Sequence, residues 1–70
     1  MNRYALLGKI ISLDMSVPEF ARKVSIPKSS FYRKLNGKSE FTESEIKSII
    51  EYLNLDYDTA FSIFFRREVS

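Results

Sequence analysis

The stretch SVPEFARKVSIPKSSFYRKLNGK, residues 16–38, decides the fold. Its first four residues match the capping box Ser-x-x-Glu, so we predict a helix over residues 17–24. Pro27 suits the first turn of the next helix, because the N–H that proline lacks would have no partner there. We expect this helix to end just before Gly37, which supplies a left-handed cap.

The connection between these two helices is short. Only Ser25 and Ile26 lie between them, which is too little chain for an antiparallel hairpin and enough for the bend of a helix-turn-helix. Ala21 is small and lets the two helices approach closely. Phe31 and Leu35, four residues apart, are expected to pack inward, so the other face of the later helix points outward.

Three further helices flank this pair. Apolar residues at helical spacing predict a first helix over residues 3–13. A second capping box at residues 42–45 predicts a fourth helix, and an aspartate can cap a short fifth helix over residues 57–63. We therefore expect an all-α bundle of about five short helices in one domain, residues 1–70. The tail FSIFFRREVS, residues 61–70, fits a helix or a short strand, and both stay open.

The outward positions of the third helix carry hydrogen-bonding side chains and no acid. They are Lys28, Ser29, Tyr32, Arg33 and Asn36. Residues of these types read base edges in the major groove of DNA, with Arg or Lys on guanine and Asn on adenine. The planar guanidinium of Arg33 suits a bidentate guanine contact, whereas Tyr32 either stacks on a base or sugar or covers the edge of the core.

The charge distribution also favours a negatively charged partner. Residues 20–39 contain six basic residues and no acid, whereas residues 40–58 contain six acids and one lysine. The net charge is only +2, so the quoted stretch forms the positive end of a dipolar molecule. We expect Lys34 and Lys38 to contact phosphate, together with the N–H groups at the start of the second helix.

This arrangement resembles the lambda-repressor-like family of helix-turn-helix proteins, which includes the small Cro-type phage regulators, over nearly the whole chain. The likeness rests on Ala21 within EFA, Ile26 in the turn, Phe31 inside the third helix and NGK at its end. The segment KLNGKSEFTESEI looks like a subgroup of short phage-encoded regulators.

The resemblance implies a set of DNA contacts. The residues implied are Lys28, Ser29, Tyr32 and Arg33 for bases, and Val17, Pro27, Asn36 and Lys38 for the DNA backbone. Three positions depart from the family pattern. Val17 stands where many relatives have Gln, Pro27 replaces a capping Ser or Thr, and Ser25 replaces the usual turn glycine, which costs about 1 kcal/mol in a left-handed backbone.

Residue types that most enzymes and metal sites need are missing. The chain has no Cys and no His, which removes thiolate ligands, the commonest metal ligand and the usual general base. The acids Glu40, Glu43 and Glu45 are expected to oppose a helix dipole rather than to bind a metal. We predict no enzyme activity, no cofactor, no metal and no small-molecule ligand.

The chain carries no signal for a membrane. Its longest early apolar run, ALLGKII, is broken by Lys9, and a membrane span needs about 20 residues. No small-residue cleavage site follows this run, and the lack of Cys suits a reducing compartment. We expect a cytoplasmic location, in a bacterial host, and no membrane partner.

The aromatic tail is the expected dimerisation surface. Two-fold dimers are common among helix-turn-helix proteins, and the tail exposes more apolar surface than a small monomer usually does. We predict a homodimer through residues 61–69, with Phe61, Ile63, Phe64 and Phe65, by pairing of tail strands or by aromatic packing.

Together these features predict a sequence-specific DNA-binding regulator, Cro-like and phage or prophage encoded, that acts mainly as a repressor at a promoter operator. Two alternatives stay open. One is an antitoxin of the same fold, which binds its own promoter and a partner protein. The other is a protein-binding module such as an anti-repressor, whose third helix would be expected to lose its basic character.

Overall fold

The computed structural model describes residues 1–65, and this part of the chain forms five α-helices. They are α1 (Arg3–Ser12), α2 (Val17–Lys23), α3 (Lys28–Leu35), α4 (Glu43–Leu53) and α5 (Tyr57–Phe64). The predicted all-α class is confirmed, and residues 1–65 contain no strand. The strand alternative for the tail is wrong for residues 61–64, which belong to α5. The rest of the predicted dimerisation tail, residues 66–70, lies outside the described residues.

Side-chain caps set the starts of four of the helices. Both predicted capping boxes are present: Ser16 Oγ accepts the Glu19 N–H at 3.2 Å, and the Glu19 carboxylate accepts the Ser16 N–H at 3.2 Å. The same exchange joins Thr42 and Glu45, at 3.2 and 2.8 Å. The starts of α1 and α5 each have one side-chain acceptor. Local capping chemistry therefore positions most of the helix boundaries.

A buried turn joins α2 to α3. Ile26 is only 3% exposed, and its N–H donates to the Ala21 carbonyl at 2.9 Å. Ser25 has a left-handed backbone, with φ 60°, as the family pattern of a turn glycine implied. Pro27 is the N-cap residue of α3 rather than part of its first turn, so the helix begins one residue later than predicted.

Every helix contributes to the core. The side chains exposed by 1% or less are Leu6, Ile10, Phe20, Ala21, Phe31, Ile49 and Ile63. The backbone closes the bundle as well, because the Asn2 N–H donates to the Ile63 carbonyl at 2.7 Å and fastens the start of α1 to the end of α5. Both ends of the described chain are thus attached to the same core.

A chain of five aromatic rings crosses this core. Neighbouring rings meet edge to face in the order Tyr52, Phe20, Phe31, Phe41 and Phe64, with centroids 5.4 to 6.2 Å apart. This geometry is favourable for aromatic pairs beyond the apolar area that they bury. It ties α2 and α3 to α4 and α5.

No helix within residues 1–65 has the length and apolar character needed to cross a membrane.

Candidate nucleic-acid interface

The outward face of α3 is polar and exposed. Lys28, Ser29, Tyr32, Arg33 and Asn36 are all exposed, as the helical spacing predicted. The opposite face of the helix is anchored, because Phe31 and Leu35 are 0% and 4% exposed. The structure therefore presents the four predicted base-contacting residues on one side of one short helix, with Asn36 at its C-cap.

Tyr32 is the aromatic residue of this face, and it is 39% exposed. Part of the residue is therefore shielded from solvent and the rest is accessible. A partly accessible ring can both cover apolar atoms and meet a sugar or base, so both roles considered for Tyr32 stay open.

The start of α3 differs from the other helix starts. Pro27 supplies no side-chain acceptor, so the N–H groups of the first turn, from Lys28 to Ser30, have no side-chain cap. Unpaired N–H groups at a helix start carry partial positive charge and favour an anion. The exposed ammonium group of Lys28 adds a full positive charge at the same end.

The start of α2 is less suited to phosphate than the sequence indicated. Glu19 occupies this start as part of the capping box, and backbone and side-chain hydrogen bonds from Ser16 lower the pKa of its carboxyl. The group therefore stays negatively charged and opposes a phosphate. The Val17 side chain is half-buried and packs against the core, so this residue could meet DNA only through its main chain.

Lys34 is not available as a phosphate ligand, contrary to the expectation from sequence. Its Nζ lies 2.6 and 2.8 Å from the two carboxylate oxygens of Glu45, and the two side chains are only 16% and 20% exposed. Burial raises the pKa of the Glu45 carboxyl, but hydrogen bonds from Lys34 and Thr42 outweigh it, so the pKa lies below its ordinary value. The pair joins the end of α3 to the start of α4.

The remaining basic residues of the stretch keep their charge facing solvent. Arg22, Lys23, Lys28, Arg33 and Lys38 are all exposed. Within residues 1–65, the pair of Lys34 with Glu45 is the only salt bridge. These five cations of α2, α3 and the loop after α3 form what we call the basic surface.

The residues predicted for dimerisation separate into two groups. Ile63 is 1% exposed and belongs to the core, so it cannot contact a second chain, and Phe64 is half-buried against Phe41. Phe61 and Phe65 are exposed by 46% and 58%. The sequence alone did not separate these groups because a strand register would have placed Ile63 on the same face as Phe61 and Phe65.

No protein-family model, curated protein or solved structure matches this chain. The resemblance to lambda-repressor-like proteins therefore rests on the residues quoted above.

Proposed function

We propose that this protein is a sequence-specific DNA-binding transcription regulator of the lambda-repressor-like helix-turn-helix type, phage or prophage encoded. It acts as a repressor in the bacterial cytoplasm by occupying a promoter operator. The observation that carries the proposal is the outward face of α3, where exposed side chains of the types that read base edges lie together on a helix whose other face is buried in the core. The proposal assigns no catalytic residue and no cofactor.

In this proposal α3 enters the major groove, with its first turn nearest the bases. Arg33 donates two hydrogen bonds to a guanine, while Lys28 and Ser29 contact neighbouring base edges. The exposed part of Tyr32 rests on a base or on the sugar next to it. Discrimination between sequences then depends mainly on Arg33, since a bidentate pair is worth about 1–3 kcal/mol against the wrong base.

Contacts with phosphate set the position of the helix in the groove. Lys38 lies just beyond the C-terminal end of α3, and Asn36 directly follows the helix. Pro27, at the other end, has no N–H donor, so it meets the DNA backbone only by van der Waals contact. The main chain at Val17, the first residue of α2, supplies a further N–H donor. Such contacts carry no sequence information directly, but they fix the orientation of the base-reading face.

The ion pair between Lys34 and Glu45 supports this geometry indirectly. It neutralises a lysine that would otherwise bind any phosphate within reach, and it holds the C-terminal half of α3 against α4. A recognition helix with fewer mobile cations binds non-specific DNA less tightly, so the proposed base contacts account for a larger share of its affinity for the operator.

In this proposal two copies of the chain read two half-sites about 34 Å apart on the same face of the duplex.

Salt dependence tests this function. Binding to a labelled duplex is measured by fluorescence anisotropy from about 50 to about 200 mM salt. The affinity should fall steeply over this range, because the release of counterions from the DNA is less favourable at higher salt. Lys38→Ala should make the slope shallower by about 1 in log affinity against log salt. Lys47→Ala is the matched control, because this exposed lysine lies on α4 outside the basic surface and should leave the slope unchanged. A flat salt response of the unchanged protein would favour the protein-binding alternative.

A further inference from the structure

A groove opens between the start of α1, the loop after α3 and the end of α5. Its cavity volume is about 480 Å³, within the range of about 300–1,000 Å³ that is usual for small-molecule sites. Apolar side chains supply much of its wall: Leu35 from α3, Phe41 and Ile46 from the loop and helix that follow, and Phe64 and Phe65 at the end of α5. The sequence did not indicate this groove, because its walls come from segments that are far apart in the chain.

The edge of the groove carries a cation, Arg3. Arg3 and Lys34 are the basic residues that line it. Lys34 is bound to Glu45, and this is the only salt bridge within residues 1–65, so Arg3 has no carboxylate partner in that part of the chain. Its guanidinium lies 5.2 Å from the centroid of the Tyr4 ring. This cation–π contact leaves the N–H donors of the guanidinium available to an anion.

We propose that the groove binds a small aromatic acid with a single negative charge. The flat ring lies against Phe41, Phe64 and Phe65, and the carboxylate accepts hydrogen bonds from the Arg3 guanidinium. Glu40 also lines the groove, and its carboxylate disfavours a second anionic group on the ligand. This site goes beyond the expectation from the sequence, which was that the chain has no small-molecule ligand.

The size and the walls of the groove favour a small molecule over a protein partner. Twelve of the described residues line it, whereas each side of a standard protein interface uses about 20–30. Its walls also belong to the core, since Leu35 is 4% exposed and the rings of Phe41 and Phe64 meet edge to face with centroids 6.2 Å apart. A ligand therefore enters a groove that is already formed, and little has to be ordered on binding.

Occupation of the groove is expected to weaken DNA binding, and this coupling rests on the proposed function. Asn36, Gly37 and Ser39 line the groove, so Lys38 lies between two lining residues. Asn36 and Lys38 are the residues that we propose to contact DNA phosphates at this end of α3. A carboxylate bound beside them adds negative charge within about 10 Å, the Debye length at about 0.1 M salt, and repels those phosphates. The acid then acts as an effector that releases the protein from its operator.

Binding of 2-naphthoate tests the site, because this acid has two fused aromatic rings, one carboxylate and a fluorescence of its own. The chain has no Trp, so excitation above the absorption of tyrosine reports the probe alone. The full chain should bind 2-naphthoate with a dissociation constant of about 1 mM or lower. It should bind the neutral analogue 2-naphthamide at least threefold more weakly. Equal affinities for the acid and the amide, or no binding of either up to about 10 mM, would overturn the proposal.

A charge variant tests the position of the carboxylate. Arg3→Gln should lower the affinity for 2-naphthoate to that for 2-naphthamide and leave the affinity for the amide unchanged, because only the acid uses the guanidinium. Lys9→Gln is the matched control, since Lys9 is an exposed cation on the same helix that does not line the groove. It should change neither affinity. Equal losses for the two variants would indicate general attraction by positive charge and would overturn the site.

Two aromatic residues of α5 and its C-cap test the apolar wall. Phe65 lines the groove and Phe61 does not, and the two are exposed by 58% and 46%. Phe65→Ala should weaken binding of the acid and of the amide alike, by at least threefold, whereas Phe61→Ala should leave both affinities unchanged. Circular dichroism of the two variants verifies that their helices are intact. A larger loss for Phe61→Ala than for Phe65→Ala would overturn the location of the site.

Chemical shifts of the backbone amides locate the probe without any substitution. Addition of 2-naphthoate to the full chain should shift the amide signals of Gly37, Ser39 and Phe41 most strongly. Shifts centred on Tyr57 and Phe61 instead would place the probe on the exposed side of α5 and would overturn the proposal.

DNA binding separates this site from the proposed function. At constant ionic strength, saturating 2-naphthoate should weaken binding to the preferred duplex at least twofold at about 50 mM salt and less at about 200 mM, whereas 2-naphthamide should have no effect. Arg3→Gln should abolish the effect of the acid. If the acid binds and Arg33-dependent DNA binding does not change, the coupling is wrong.

The two proposals can fail independently. If no probe binds while Arg33-dependent DNA binding persists, the site is wrong and the proposed function stands. If 2-naphthoate binds in the groove with the predicted dependence on Arg3 but no duplex is bound, the proposed function is wrong and the site stands.

Discussion

Lys34 and Glu45 connect the end of α3 to the start of α4, with Nζ 2.6 and 2.8 Å from the two carboxylate oxygens. The same carboxylate also accepts the Thr42 N–H at 2.8 Å and so completes the capping box of α4. One side chain thus caps a helix and fixes the neighbouring helix that we propose to enter DNA. Both partners are mostly shielded from water, so removing one of them leaves a shielded charge without its partner.

Glu45→Gln is expected to lower the free energy of unfolding by about 1–2 kcal/mol, since it leaves a shielded ammonium group without its counter-charge. Glutamine retains the capping box, so the loss reports the ion pair rather than the cap. Urea denaturation measures the change. Glu43→Gln, at an exposed position in the first turn of the same helix, should stay within about 0.5 kcal/mol. Equal effects of the two substitutions would contradict this role.

Stability should fall in acid partly because of the same pair. The pKa of Glu45 is below its ordinary value of 4.5 in the folded chain, as hydrogen bonds from Lys34 and Thr42 outweigh the effect of burial. A lowered folded-state pKa contributes stability that is present above pH 4.5 and is lost as the pH falls through the folded value. Thermal unfolding from pH 7 to pH 3 should show a smaller decrease for Glu45→Gln than for the unchanged protein. Parallel pH curves for the two proteins would show that the pair makes no such contribution.

Ser25→Gly should stabilise the protein by about 1 kcal/mol, because a left-handed backbone is strained for any residue with a Cβ. Ser25 has φ 60°, and its side chain is exposed. Asn54→Gly is the matched control: Asn54 is also left-handed, with φ 52°, but asparagine tolerates this region better, so its gain should be smaller. A loss of stability for Ser25→Gly would mean that the serine side chain has a role in the turn.

Replacing each of the two glycines with alanine should change the stability of the protein in opposite directions. A Cβ would meet no atom within 4 Å at either position, so only the backbone decides. Gly8 lies inside α1, where alanine is favoured by up to about 1 kcal/mol. Gly37 has φ 79°, so alanine there should cost about 1 kcal/mol or more. Melting temperatures of the two variants that move in the same direction would contradict these helix boundaries.

Arg33→Ala and Lys38→Ala should weaken DNA binding in different ways. Arg33→Ala is expected to cost about 1–3 kcal/mol on the preferred duplex and little on other sequences, because it removes a base contact. Lys38→Ala should weaken binding to all duplexes alike, because it removes a phosphate contact. Competition titrations with preferred and scrambled duplexes measure both. An equal loss on all sequences for Arg33→Ala would remove this residue from base reading.

Local signals in the sequence predicted most of the fold. Both capping boxes, the left-handed Gly37 and the inward position of Phe31 are confirmed, because each depends on neighbours within a few residues. The boundaries differ from prediction by about one residue, as at Pro27. Short-range chemistry of this kind determines where a helix begins and ends, whatever the rest of the chain does.

Contacts between distant residues were not accessible from the sequence. Lys34 and Glu45 are eleven positions apart on different helices, and no periodicity indicates that they meet, so Lys34 was assigned to phosphate. The buried position of Ile63 depends on which side of α5 faces the core, which a run of alternating apolar residues does not reveal. Phe61 and Phe65 were assigned to an exposed surface from the sequence, whereas the exposed Tyr57, four residues before Phe61, was not.

The most direct measurement is the selection of bound duplexes from a random DNA library, with Arg33→Ala selected in parallel. We expect the unchanged protein to enrich a palindromic motif with half-sites about one helical turn apart, and Arg33→Ala to lose the preference at one base pair in each half. Recovery of no sequence above background, by a protein whose helices are intact, would contradict the proposal that this chain reads DNA.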